Sequence, residues 1–431
     1  MLHLKGLLGF ACVGVWPALE ETLAAEVEKQ GRSEGRPLVR RRSDSAVGIY
    51  VHVPFCARQC PYCDFAVDVR RTIPHREYAD ALLEEFESRK SALDGRSVRT
   101  IYFGGGTPSM WEPSEFRRVL QRLRASVGDD LVEICMEANP VDIRRDPLDA
   151  WVDAGVTRLS IGCQSFQPRV LKILNRIHTR DQALAAVELA IEHGPEVVSL
   201  DLIFGNPEQT MQEWERDLDV VEGLQGLKHV SAYNLTIEPG TAFSRRVDRG
   251  RLSVPDEDRC FDMLERLIER CEAMGFERYE VSNFARPGFR SRHNTLYWTG
   301  AEYLGLGVGA HSLCIDSEVG VYRRANPRQT AKYLADPEAA DGVEHLSEME
   351  HFIERLFLGI RTREGLDFDE VRHQFVEVID EDLLRKARAE LEGFCVQGFM
   401  EARGAVFVPT HKGLNLGDSL AERLAVLGDG V

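Results

Sequence analysis

Three cysteines, Cys56, Cys60 and Cys63, lie within eight residues with the spacing C-x3-C-x2-C. Close thiolates in a short loop can hold a metal centre, and cysteine is the usual protein ligand of an iron–sulfur cluster. Three thiolates leave one iron of a four-iron cluster open to a small molecule, as catalytic zinc keeps an open position. The alternatives are a structural zinc site, which lacks the second cysteine pair of a zinc ribbon, or three unrelated buried thiols.

The residue just before the third cysteine makes the pattern more specific. It is Tyr62, and an aromatic residue at this place, together with the cysteine spacing, resembles the motif of the radical S-adenosylmethionine superfamily. The resemblance implies that Cys56, Cys60 and Cys63 hold a [4Fe-4S] cluster. It also implies that the amino and carboxylate groups of S-adenosylmethionine chelate the open iron.

The elements around this loop alternate between short apolar strands and amphipathic helices. The helix after the loop carries Tyr78, Leu82 and Phe86 on one stripe, which is the spacing of a helix face. Strands are predicted at residues 47–53, 100–103, 131–137, 157–163, 197–203 and 229–235. Six strand–helix units predict a parallel sheet with covering helices, and the handedness of the connections favours an open or closed barrel.

The predicted fold class is α/β, and the resemblance implies a partial (β/α)6 TIM-like radical SAM barrel with a smaller C-terminal α/β lobe. We expect a flexible N-terminal extension at 1–45, the barrel at 46–290, a glycine-rich connector at 291–345 and the lobe at 346–431. The lobe should be mostly helical with a hairpin around Arg403-Gly404, and it could be winged-helix-like.

Composition narrows the partners and the compartment. The net charge of -17 over 431 residues argues against a nucleic-acid-binding surface. Ten cysteines, scattered outside the central loop, indicate a reducing compartment. Residues 7–16 superficially resemble a signal peptide core, but acidic residues follow without a clear cleavage site, and no apolar run is long enough to span a membrane. An extension, or a start codon placed too early, fits better, and we expect a cytoplasmic protein.

Polar and glycine residues fall where the predicted strands end, which is where such barrels carry their chemistry. Gly105 and Gly106 follow a strand and would let the backbone approach a ligand, although a tight turn is the alternative. Glu137 and Gln164 could be an ordinary exposed carboxylate and a strand-end cap. Asp201 lies inside an apolar run, and a buried charge there requires a partner.

The resemblance implies one shared ligand for these residues. By their positions in the motifs, the residues expected around S-adenosylmethionine are Tyr50, Tyr62, Gly105, Gly106, Thr107, Glu137, Gln164, Arg176 and Asp201. Arg176 would pair with the ligand carboxylate, where a fork of donors fits well; a surface cation is the alternative.

From Val47 to about Ala425 the chain resembles the coproporphyrinogen III oxidase-like branch of the superfamily. In that branch the true oxygen-independent coproporphyrinogen dehydrogenases carry a further cysteine two residues after the third ligand, where this chain has Phe65. The HemW-type heme chaperones have phenylalanine there and an H-N-x-x-Y-W motif. Residues 293–298 read HNTLYW, so both features favour the chaperone group.

That motif supplies candidate heme contacts. Histidine is a common axial ligand of heme iron, and the resemblance implies heme binding by His293, Asn294, Tyr297 and Trp298. A structural histidine with two core aromatics is the alternative that composition alone favours. The axial ligand, and whether heme attaches covalently, stay open, and no catalytic residue is assigned.

The resemblance implies that heme passes to an acceptor hemoprotein of the respiratory chain, with transient membrane association through that acceptor. The alternative function is an oxygen-independent coproporphyrinogen III dehydrogenase, which would decarboxylate propionates oxidatively by radical chemistry in porphyrin biosynthesis. Radical chemistry on an unrelated substrate is a weaker possibility.

Overall fold

The computed structural model describes residues 46–316 and 319–427. The predicted N-terminal extension and its signal-like stretch at 7–16 lie outside these residues. Within the described ranges the structure has one large sheet, a set of helices packed on it, and a smaller C-terminal unit with a sheet of its own.

The strands of the described residues are short, and most belong to the large sheet. In chain order they are β1 (Ala46–Val53), β2 (Phe55–Cys56), β3 (Asp68–Val69), β4 (Ser97–Gly105), β5 (Glu133–Ala138), β6 (Arg158–Gln164), β7 (Val197–Phe204), β8 (His229–Asn234), β9 (Glu277–Arg278), β10 (Asn283–Ala285), β11 (Tyr303–Leu306), β12 (His311–Asp316), β13 (Gly320–Ala325), β14 (Gly342–Leu346), β15 (Leu366–Asp367), β16 (Met400–Arg403) and β17 (Val406–Pro409).

The large sheet runs in the order β14-β13-β12-β11-β1-β4-β5-β6-β7-β8-β10-β9. Its centre, from β11 to β8, is parallel, and antiparallel strands extend both edges. All six predicted strands are present as β1 and β4 to β8, so the predicted α/β class with six parallel strand–helix units is confirmed. Because the strands are parallel, their carboxyl ends meet at one edge of the sheet.

Helices cover the sheet, and several of them begin at a residue whose side chain caps the first turn. They are α1 (His75–Arg89), α2 (Pro113–Arg124), α3 (Arg145–Ala154), α4 (Pro168–Ile173), α5 (Arg180–His193), α6 (Met211–Gly223), α7 (Ala242–Asp248), α8 (Glu257–Ala273), α9 (Arg292–Trp298), α10 (Thr330–Ala335), α11 (Glu348–Gly359), α12 (Phe368–Phe375), α13 (Glu381–Val396), α14 (His411–Asn415) and α15 (Gly417–Ala425). Thr179 and Thr210 start α5 and α6 with capping boxes, which satisfy backbone donors at the helix ends.

The segment predicted as a glycine-rich connector, 291–345, is part of the sheet. It contains α9 and α10, and β11 pairs in parallel with β1, with Tyr50 opposite Gly305. The sequence did not indicate β11, because it has four residues, one of them glycine, which is too short a pattern to recognise. Pairing with β1, far away in the chain, makes this segment a strand.

The C-terminal unit confirms the prediction of a small α/β lobe. Its sheet has the order β15-β17-β16, and the predicted hairpin joins β16 to β17 with Gly404 in the left-handed region. The order α11-β15-α12-α13-β16-β17 is that of a winged helix. The lobe has its own apolar core, which includes Phe352, Phe375 and Phe394 and also takes in Tyr297 and Trp298 from α9. The helix α9 therefore ties the lobe to the barrel.

Among the described helices, none combines the length and the apolar character that crossing a membrane requires.

We expect Gly305→Ala to destabilise the fold. A methyl group at this position would meet the backbone carbonyl of His311 at 1.9 Å, so β11 would have to move away from β12. Overpacking of this kind costs roughly 1–3 kcal/mol, which should lower the urea midpoint of unfolding. Gly342→Ala in β14 is the matched control, because nothing lies within 4 Å of its added methyl. Equal midpoints for the two variants would contradict this account of β11.

Candidate functional site

A cavity of about 420 Å³ opens at the carboxyl ends of the parallel strands. Its volume is within the usual range of ligand sites. The wall contains most of the predicted site residues, namely Cys56, Cys60, Tyr62, Cys63, Gly105, Gly106, Thr107, Glu137, Gln164, Arg176, Asp201 and Asn294. Tyr50, His293, Tyr297 and Trp298 are not in this wall. The structure thus brings together residues from the cysteine loop and from the strands β4, β5, β6 and β7.

The cysteine loop begins at β2 and turns into the cavity. The Sγ of Cys56 lies 3.5 Å from Oγ1 of Thr107, and Nη1 of Arg176 lies 3.6 Å from Sγ of Cys60. The backbone N–H of Phe243 donates to the carbonyl of Pro61 at 2.8 Å, and the Tyr62 ring packs on Phe243. These contacts fix the loop from three sides.

The three thiols of the loop are partly or mostly buried. Burial raises the pKa of Cys56 to about 11 and that of Cys63 to about 12, so the free thiols hold their protons, and metal binding would release them. In the part of the chain that the structure describes, no three His, Cys, Asp or Glu side chains converge on a position for one metal ion. Ligands of a cluster need no such convergence, since each can bind a different iron.

The glycines at the end of β4, Gly105 and Gly106, serve a packing role that the sequence did not indicate. Gly105 has φ +112, and a methyl group there would lie 2.5 Å from the His52 ring. A methyl group on Gly106 would lie 2.6 Å from the Pro54 carbonyl, and the Gly106 N–H donates to Val53 at 2.8 Å. The sequence predicted that these glycines let the backbone approach a ligand. In the structure they let the β4 backbone approach β1 and the start of the cysteine loop.

Two carboxylates face the cavity from β5 and β7. Glu137 accepts hydrogen bonds from the Tyr102 hydroxyl at 2.8 Å and from the Gly105 N–H at 3.0 Å. Asp201 accepts from the Ser160 hydroxyl at 2.8 Å. Burial raises the pKa of Glu137 to about 7 and that of Asp201 to about 6, against the opposing effect of these bonds. Both carboxyls would ionise more readily beside a cationic ligand.

Gln164 and Arg176 border the cavity beside β6. Gln164 has φ +68 at the end of β6, a conformation that costs a non-glycine residue about 1–3 kcal/mol and is typical of functional sites. Arg176 is not a surface cation: its Nη2 donates to the carbonyl of Gly162 at 2.7 Å. Its buried Nε makes no hydrogen bond within the described residues, so the guanidinium has donor capacity left.

Tyr50 lies behind the cavity wall. Its hydroxyl is 3.1 Å from Nδ1 of His52, and its ring stacks on Tyr102 at a centroid distance of 6.0 Å. The residue supports the site from the next layer of the barrel interior.

The H-N-x-x-Y-W motif forms α9, and most of it is buried. His293 is 1% exposed; its Nδ1 lies 2.7 Å from the Thr100 hydroxyl and its Nε2 lies 2.8 Å from the Tyr297 hydroxyl. With both nitrogens engaged, the ring has no position for iron in this conformation. Tyr297 and Trp298 belong to the core of the C-terminal lobe. The alternative of a structural histidine with two core aromatics describes these three residues, while Asn294 borders the cavity.

The sequence prediction missed a polar layer inside the barrel. The additional polar residues in the cavity wall include Arg158, Ser160, Ser199, His229 and Ser231. The Ser199 hydroxyl lies 2.7 Å from Nδ1 of His229, and Arg158 pairs with buried Glu133 at 2.9 Å. The sequence did contain a signal for this layer, because polar residues occupy alternate positions of β6, β7 and β8. Alternate residues of a strand share one face of the sheet.

Comparison with known proteins identifies the class. Residues 50–221 match the family model of the radical SAM superfamily. The solved structure of coproporphyrinogen III oxidase (HemN) from Escherichia coli shares the fold, with a TM-score of 0.72 and 23% identity over 93% of this chain and 92% of that one. The fold and the cysteine loop thus define a radical SAM protein with the partial barrel predicted from the sequence.

Curated relatives narrow the class further. The heme chaperone HemW of Lactococcus lactis is 33% identical over 87% of this chain and 96% of the relative. The heme chaperone HemW of Mycobacterium tuberculosis is 36% identical over 88% and 94%, and that of Escherichia coli is 38% identical over 67% and 75%. This chain belongs to the HemW family, as the Phe65 and H-N-x-x-Y-W comparison implied.

We expect Glu137→Gln to flatten the pH dependence of stability in the cluster-free protein. The folded-state pKa of about 7 exceeds the unfolded value, so the contribution of Glu137 is present below pH ~4.5 and is lost as the pH rises through 7. Urea midpoints from pH 5 to pH 8 should therefore fall more steeply in the wild type than in the variant. Glu84→Gln, at an exposed position of α1, should keep the wild-type slope. Parallel slopes for wild type and Glu137→Gln would show that the carboxyl is not held as described.

Proposed function

We propose that this protein is a heme chaperone that binds heme, one [4Fe-4S] cluster and S-adenosylmethionine, and transfers heme to an acceptor hemoprotein. The observation that carries the proposal is the meeting of three cysteine thiols, the carboxyl groups of Glu137 and Asp201 and the Arg176 guanidinium in a single cavity, in a chain of the HemW family. The acceptor would be a respiratory hemoprotein, and any membrane association would be transient and through that acceptor.

Cys56, Cys60 and Cys63 would hold the cluster. Arg176 lies close enough to Cys60 to offset part of the negative charge of bound thiolates, since an opposite charge nearby favours the ionised form. Thr107 is within reach of the Cys56 sulfur as a hydrogen-bond donor. When bound, the cluster would supply an open iron and one-electron chemistry to the cavity.

S-adenosylmethionine would lie in the same cavity, which is lined by both carboxyl groups and a guanidinium. Glu137 and Asp201 offer acceptors to the ammonium group and to ribose hydroxyls. Arg176 offers donors to the ligand carboxylate, an arrangement that suits a guanidinium. Gly105 and Gly106 border the cavity with their backbone, and Gln164 with its strained backbone would offer a further polar contact.

Heme handling rests on the family and on one position in the cavity wall. Phe65 borders the cavity at the place where the dehydrogenases of the branch carry a further cysteine. An aromatic ring there offers apolar contact to a macrocycle and no thiol for redox chemistry. Asn294 is the motif residue that already faces the cavity. His293 could ligate heme iron only if its contacts with Thr100 and Tyr297 opened.

We expect Cys56→Ser, Cys60→Ser and Cys63→Ser, combined in one variant, to abolish cluster binding. After anaerobic reconstitution, the wild type should carry about four irons per chain, and the variant should carry almost none, because serine offers no thiolate. Iron analysis and the visible spectrum measure this. Cys163→Ser is the control, since Cys163 is buried in the barrel core and outside the cavity wall. Full iron loading of the triple variant would refute the assignment.

We expect hemin to bind saturably, at about one per chain, and to move to apomyoglobin added as a spectroscopic acceptor. The same reconstituted protein, given S-adenosylmethionine and a reductant, should not consume coproporphyrinogen III. Absorbance titration and chromatography of porphyrins provide the two readings. Multiple-turnover decarboxylation of coproporphyrinogen III would favour the dehydrogenase function over the chaperone function. Nonsaturable hemin uptake would remove the main support of the proposed heme binding.

A further inference from the structure

Three rings stack inside the barrel and join the H-N-x-x-Y-W motif to the cavity. The Tyr50 and Tyr102 centroids are 6.0 Å apart with an interplanar angle of 23°. The Tyr102 and His293 centroids are 4.9 Å apart with an angle of 25°. Tyr102 is therefore held between a ring from β1 and a ring from α9, and it is the member of the stack that lines the cavity.

The His293 ring is fixed on every side. Thr100 and Tyr297 engage its two nitrogens, and the ring edge lies so close to β1 that a methyl group on Gly48 would meet it at 3.1 Å. The backbone N–H of His293 donates to buried Glu133 at 2.9 Å. Burial lowers the pKa of His293 to about 3, so the imidazole is neutral, with one nitrogen donating and the other accepting.

Tyr102 connects the fixed His293 ring to the Glu137 carboxylate in the cavity. Its hydroxyl donates to Oε1 of Glu137 at 2.8 Å, while the Gly105 N–H donates to Oε2 at 3.0 Å. The two bonds together fix the plane of the carboxylate. If the Tyr102 ring were free to tilt, Glu137 would keep the bond from the Gly105 N–H to its Oε2. Its Oε1 would lose the alignment that the Tyr102 hydroxyl provides.

We propose that His293 is a positioning residue of the S-adenosylmethionine site, acting through Tyr102 to hold Glu137, and that it is not the axial ligand of heme. The inference rests on the proposed function, because it assigns Glu137 to that ligand. It gives the histidine of the motif a role that its burial and its two hydrogen-bonded nitrogens allow without rearrangement.

The test measures S-adenosylmethionine affinity by anaerobic equilibrium dialysis of the cluster-loaded protein. Tyr102→Phe keeps the ring and removes the bond to Glu137, which should weaken binding roughly tenfold. His293→Gln keeps a polar group and removes the stacked ring, which should weaken binding roughly threefold to tenfold. If His293 acts through that bond, the double variant should bind no more weakly than Tyr102→Phe alone.

Non-additivity separates positioning from a general structural defect, because independent damage would add. Thr295→Ala is the control on the same helix: the Thr295 hydroxyl donates to the Ser291 carbonyl within the helix, and the S-adenosylmethionine affinity of the variant should equal that of the wild type. Iron content and melting temperature, measured on every variant, show that the compared proteins are folded and loaded.

A parallel hemin titration distinguishes the two roles of His293. We expect His293→Gln to keep the wild-type hemin affinity and Soret spectrum while its S-adenosylmethionine affinity falls. Loss of hemin affinity or a shifted Soret band with unchanged S-adenosylmethionine binding would overturn the inference and restore His293 as the heme ligand. Additive effects in the double variant would also overturn it. A wild type that binds no S-adenosylmethionine would refute the proposed function itself, and the inference with it.

Discussion

The site depends on the close contact between the end of β4 and the end of β1. Gly105 and Gly106 have no side chains, so the β4 backbone reaches His52 and Pro54 at distances that a methyl group would prevent. The bond from Gly106 to Val53 closes the junction just before the cysteine loop. The loop thus starts from a fixed point on the sheet, and Cys56 comes to lie beside Thr107. A larger residue at either glycine would displace the loop from the cavity.

The buried charged side chains of the cavity are the second constraint on the site. Glu137 and Asp201 lie where burial penalises their ionised forms, and Arg176 lies against Cys60 in the same cavity. Such an arrangement is costly without a ligand and favourable with one that carries both an ammonium and a carboxylate. The strained Gln164 adds to the conformational free energy stored at the site. The same buried charged side chains therefore affect both the stability of the fold and the binding of a ligand.

The helix α9 links two parts of the molecule with separate cores. His293 and Asn294 reach into the barrel, whereas Tyr297 and Trp298 pack in the core of the C-terminal lobe. The bond between His293 and Tyr297 joins the two sides within one helical turn. Residues of this one helix therefore contact both the lobe core and the barrel strands.

The sequence by itself determined the cysteine loop, the six parallel strands and the strand-end residues predicted for the cavity, because thiol spacing and apolar periodicity are local patterns. Phe65 and the H-N-x-x-Y-W motif likewise indicated the family before the fold was known. Tertiary structure alone decided that β11 pairs with β1 and that both nitrogens of His293 are engaged. It also decided that the glycines at the end of β4 pack on His52 and Pro54. These features join residues distant in the chain, and no local pattern specifies which partner a buried side chain or a short strand will meet.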